Sequence, residues 1–106
     1  MIEVVNAVRE AQAAASKKTA DYLRENGDGW PCGFAWVWTN AKGNTKIGKA
    51  LLAAGFQKHY GGGLAWWNPS GSFTQNMDAK EAGAREAARV LREKLGIEAS
   101  AQSRMD

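Results

Sequence analysis

The chain has 106 residues, 44% of them hydrophobic, enough for one domain with a core of its own. Its one cysteine excludes an internal disulfide and a thiolate metal cluster, and makes a reducing, cytoplasmic setting the default expectation. The net charge of +3 permits an anionic partner without requiring one.

The charge is unevenly spread. No acidic residue lies between Asp28 and Asp78, an interval that holds Lys42, Lys46, Lys49, Lys58, His59 and all five tryptophans. The opening MIEVVNAVREAQ meets Glu3 before any basic residue and lacks the basic head and apolar run of a secretory signal. No apolar stretch reaches the length of a membrane span, so no membrane partner is expected.

The first predicted element is a helix from residue 2 to about 25. Val4, Val8, Ala11, Ala15, Thr19 and Tyr22 recur at spacings of three and four and form one stripe. Asn26 to Gly29 ends it with residues that accept left-handed backbone. A strand follows from Gly33 to Thr39, with Phe34, Trp36 and Trp38 on one face and Ala35, Val37 and Thr39 on the other.

The second helix starts near Asn44 or Thr45, either of which can cap it. It buries Ile47, Ala50, Leu51 and Ala54 and stops at Gly55, with Phe56 folding back. The stretch QKHYGGG reads as a connection to a strand from Leu64 to Asn68, which Pro69 ends. The third helix opens at Asp78, with Glu81 completing a capping box, and buries Ala84, Ala87, Ala88, Leu91 and Leu95 before Gly96. The last strand runs from Ile97 to Arg104.

The order α-β-α-β-α-β predicts a single α+β or small α/β domain. Residues 1–28 form an N-terminal helical arm and residues 30–106 a βαβαβ core. Two strand–helix–strand steps imply a three-stranded, largely parallel sheet with right-handed crossovers. A helix, a glycine stop and a strand occur twice, a weak internal repeat. The alanine-rich third helix leaves room for a homodimer.

Three stretches are similar to a family of short proteins encoded by tailed bacteriophages. They are CGFAWV (Cys32 to Val37), YGGGLAWWNPSGS (Tyr60 to Ser72) and the terminal AQSRMD (Ala101 to Asp106). Its members resemble one another in the CGFAWV strand, a YGG stretch before a Trp-containing strand, an Ala-rich helix and an SR(M/L)D end. The resemblance covers residues from about 30 to 106, while residues 1–28 are shorter than the family's arm. The family has no established activity, so no catalytic residue transfers from it. What it implies is a small accessory protein in the host-cell cytoplasm.

Two readings of the aromatic set compete. Burial statistics favour Phe34, Trp36 and Trp38 as core, with truncation of Trp36 unfolding the protein. The alternative packs the small face, Ala35, Val37 and Ala65, against the alanine-rich helices and leaves the rings open, as on sheets that stack bases. Adjacent Trp66 and Trp67 point to opposite faces of a strand, so at least one is semi-exposed.

Lys42, Lys46 and Lys49 are either a solvated helix face or a phosphate-binding strip. Lys58, His59, Tyr60, Gly61 and Gly62 offer cations beside backbone amides that an anion can approach, and the plain alternative is a flexible turn. Arg104 supplies a further fork for phosphate or carboxylate, or pairs with Asp106.

Catalytic signals are poor. A Cys32–His59 nucleophile pair depends on the fold bringing the two together. No metal-ligand spacing and no paired central carboxylates occur, so neither a cofactor nor a metal is expected. The sequence therefore points to a non-enzymatic binding protein. Its expected ligand is nucleic acid or a nucleotide, with Trp66 and Trp67 stacking a base and the central lysines holding phosphate, in counter-defence for example. The alternative is an inhibitor of a host or phage protein complex, acting through an exposed aromatic patch.

Overall fold

The computed structural model describes residues 2–106 as a single α+β domain. Helix α1 spans Ile2–Asn26, strand β1 Gly33–Thr39, helix α2 Lys46–Ala53, strand β2 Gln57–Lys58, strand β3 Leu64–Trp67, helix α3 Met77–Leu95 and strand β4 Ala99–Met105. The sheet has four strands in the order β2-β3-β1-β4, and every neighbouring pair is antiparallel.

This corrects the expectation of three largely parallel strands. The stretch QKHYGGG is a hairpin, closed by the His59 N–H donating to the Gly63 carbonyl at 3.0 Å. Gln57 and Lys58 before it pair with Ala65 and Leu64 as β2. Both helical crossovers exist, from β1 through α2 to β2 and from β3 through α3 to β4. Each joins strands that run the same way but skips the one between them. The result is the interleaved split βαβ connectivity, β-α-β-β-α-β. The weak repeat does not carry over: its first strand, LAWW, is the inner strand β3, and the strand that directly follows the glycine stop of α2 is the short edge strand β2.

Local chemistry sets those stops. Thr45 caps α2 by accepting from the Gly48 N–H at 3.0 Å. Gly55 takes φ +108° and Gly96 φ +65°, conformations that a side chain resists. The start of α3 differs from the expected capping box. Asn76 is the cap, accepting from the Ala79 N–H at 2.8 Å. Glu81 instead engages Arg85 and the Ser103 hydroxyl, which removes it from any box with Asp78.

The core lies between the sheet and its helices. Ala35, Val37, Thr39, Leu64 and Ala99 face α3 and α2, and all are buried. Helix α1 packs along α3 and touches α2. The α1–α3 contact is close: a Cβ on Gly83 would collide with Thr19 Oγ1 and come within 2.9 Å of the Ala15 carbonyl. Thr19, fully buried, donates to the Ala79 carbonyl at 2.7 Å. The alanine face of α3, offered above as a dimer surface, is occupied by α1 and the sheet. No helix among the described residues is long and apolar enough to cross a membrane.

Candidate functional site

All three helices pack on one side of the sheet, so the strand alternation decides what the other side shows. Phe34, Trp36 and Trp38 of β1 project onto that open face. The register adds Ala65 and Trp67 of β3, Gln57 of β2, and Ser100, Gln102 and Arg104 of β4. The aromatic set is therefore not the core, against the reading that burial statistics favoured. The buried alanines of α3 pack among the small strand residues beneath it, which leaves the large rings to the other face.

The pairing also reassigns two residues. Trp36 lies opposite Trp67 and Trp38 opposite Ala65, so Ala65 belongs to the aromatic face and not to the small one. Trp66, opposite Val37, turns toward the helices and stacks on buried Phe56 at 5.2 Å. Trp67 is the exposed member of the tandem, at 53%.

The open rings form one cluster. Trp67 stacks on Trp36 with centroids 5.3 Å apart and planes within 12°, and meets Phe34 at 5.5 Å. Two indoles are pinned from the side. Trp36 donates its Nε1–H to Gln102 Oε1 at 2.8 Å, and Trp38 donates to the Gly62 carbonyl at 2.9 Å. The second bond needs Gly63 at φ +77°, because a Cβ there would meet the Thr39 carbonyl and the Trp38 ring nitrogen.

Cations border the cluster. The Arg104 guanidinium lies 5.7 Å from the Phe34 centroid, and Lys80 Nζ lies 5.4 Å from it. Lys80 is buried, its ammonium donating to the Gly33 carbonyl at 3.0 Å. None of the four strands contains an acidic residue.

Beside the cluster runs a groove of about 350 Å³ lined by Trp36, Gln57, Lys58, His59, Tyr60, Ala65, Trp67 and Arg104. It unites Lys58, His59, Tyr60, Trp67 and Arg104, all of which the sequence had suggested. Gly61 and Gly62 form the turn above it, with the Gly61 N–H donating to His59 Nδ1 at 3.2 Å. Lys42, Lys46 and Lys49 are not part of it. Lys42 and Lys46 border a separate apolar recess with Ile47 and Ile97, and Lys49 is exposed on α2. From sequence, the reading that leaves Phe34 and Trp36 open is the less favoured of two, Ala65 is assigned to the opposite face, and Gln57 and Gln102 are not singled out. The alternation of β1 already grouped the first two; the others depend on strand pairing.

Cys32 and His59 are not brought together. Cys32 precedes the start of β1, whereas His59 follows the pair that abuts Thr39 at its far end, about 20 Å away at 3.3 Å per residue. Among the described residues no cluster of His, Cys, Asp and Glu could hold a metal. The chain matches no family model, no curated protein and no solved structure.

Proposed function

We propose that this protein acts by binding, and that it holds single-stranded nucleic acid on the open face of its sheet. One observation carries the reading: Phe34, Trp36 and Trp67 form a continuous aromatic platform on a sheet face free of carboxylates, with Arg104 at its border. Every base has a π-face, so such a platform is worth about 1–3 kcal/mol per stacked base without regard to sequence. Unpaired strands offer those faces and a duplex hides them, which favours single strands over duplex. The resemblance to short tailed-phage proteins makes an accessory role in an infected host the setting, counter-defence among its forms.

The experiment is a tryptophan-fluorescence titration with short single-stranded and duplex DNA and RNA at low and moderate salt. A saturable change with single strands that weakens as salt rises is the expected result, because phosphate contacts release counterions. No change with any nucleic acid, or one indifferent to salt, would reject the proposal.

A second reading is favoured by a different observation. Trp30 and Phe73 are 76% and 99% exposed on two loops that are tied together, Asn76 Nδ2 donating to the Gly29 carbonyl at 2.8 Å. Exposed aromatics on a rigid base suit docking to a protein. An inhibitor of a host or phage complex would use them, and its binding would survive high salt.

A further inference from the structure

The rings do not cover the open face evenly. In the row that crosses the sheet at Trp38, β3 contributes Ala65 and β2 contributes Gln57. A methyl group thus stands beside Trp67, and the space above it is the groove of about 350 Å³. That volume lies near the lower end of small-molecule sites, about 300–1,000 Å³. Its apolar lining includes Trp36 and Trp67, which stack on each other, and its hydrogen-bonding lining includes Gln57 and His59.

Those groups have defined roles. The backbone N–H of Gly61 can only donate, so His59 Nδ1 accepts, and the neutral ring keeps its proton on Nε2. The Gln57 side chain is exposed and has no hydrogen-bond partner among the described residues, which leaves an acceptor and a donor side by side.

We infer that the Ala65 slot receives one unpaired nucleobase, lying against the tryptophan wall with its edge toward the Gln57 amide, and that adenine is the preferred base. The inference rests on the reading of this face as a single-strand binder. A glutamine amide matches the N6 donor and N7 acceptor of adenine in a two-point contact. The contact is uncharged, so it selects among bases and leaves the salt dependence to Lys58 and Arg104.

The test uses fluorescence anisotropy of end-labelled short oligoadenylate and oligouridylate, with AMP as competitor. The protein is compared with its Ala65→Leu and Gln57→Ala variants. The wild type is expected to bind oligoadenylate about tenfold more tightly than oligouridylate. Gln57→Ala should level the two by weakening only the first. Ala65→Leu fills the slot from the solvent side, and should weaken both about tenfold with an unchanged melting temperature. AMP should compete poorly, because it lacks the neighbouring phosphates that lie along a strand.

Equal affinity for the two oligonucleotides, or an Ala65→Leu variant that binds like the wild type, overturns the slot and leaves the open-face proposal standing. AMP as strong as the oligonucleotide would overturn the assignment to a strand. Failure of the wild type to bind either oligonucleotide would remove the slot and the open-face proposal together.

Discussion

Toward its helices the sheet presents Ala35, Val37, Leu64, Trp66 and Ala99. Toward solvent the same strands present Phe34, Trp36, Trp38, Trp67, Gln102 and Arg104. The larger residues gather mainly on the side with nothing packed over them, the reverse of what side-chain hydrophobicity alone suggests. Charge divides in the same way. Every ion pair among the described residues lies within or between α1 and α3, including Lys17–Asp21, Arg85–Glu81, Arg89 with Glu86 and Glu93, and Lys94–Glu10. The strands carry only uncompensated cations. The helical side is thus built for stability, with small residues in close contact and charges of both signs. The open side places large, half-buried aromatic residues where no helix packs over them.

The sharpest way to break this division is to disturb the helical side where it is tightest. Gly83→Val puts a branched side chain against Thr19 and the Ala15 carbonyl, and overpacking there should cost about 3 kcal/mol. Urea unfolding measures it; an unperturbed midpoint would mean that α1 is not seated on α3.

Next comes a pair of neighbours. Trp66→Ala removes the partner of Phe56 and should destabilise by about 2–3 kcal/mol, below the cost for a wholly buried tryptophan. Trp67→Ala loses only its ring contacts with Trp36 and Phe34, about 1 kcal/mol, yet should weaken single-strand binding about tenfold or more. Thermal melts and binding isotherms of the two variants should rank them in opposite orders. The same order in both measurements would erase the distinction between the faces.

Smaller effects sharpen the charge comparison. Arg104→Ala should lower the salt slope of binding by about one. Replacing Lys42, Lys46 and Lys49 together by glutamine should change affinity at moderate salt by less than about threefold, since these charges act from the helical side and are largely screened. A loss as large as that from Arg104→Ala would mean that the nucleic acid also runs along α2.

The smallest effect belongs to acid. The hydrogen bond from Arg89 holds the Glu86 carboxyl below its ordinary value of 4.5. A depressed folded value contributes stability above the ordinary pKa, and that contribution is lost as pH falls through the lower one. Being largely exposed to solvent, the pair contributes little. The melting-temperature difference between wild type and Glu86→Gln should therefore shrink between neutral pH and pH 3.

What the sequence made legible was local. The stripe of α1, the alternation of β1, the Thr45 cap and the stops at Gly55 and Gly96 each depend on a few consecutive residues. Strand β2 escaped because two residues carry no period and exist as a strand only through pairing with β3. Strand direction escaped with it, since the triple glycine looks the same in a hairpin turn and in a loose connection. The exposed face depended on counting helices per side, which no single segment encodes. Lys80 illustrates the limit most plainly: a helix lysine reads as solvated, yet it is buried because the Gly33 carbonyl happens to end within its reach.

The side bonds from Trp36 to Gln102 and from Trp38 to Gly62 have a consequence in time. Each of those rings is held by a hydrogen bond within the protein itself, so a single strand bound there as proposed would meet a surface already ordered. Its association would then be paced by encounter and electrostatic attraction, and ligands would be best compared by residence time.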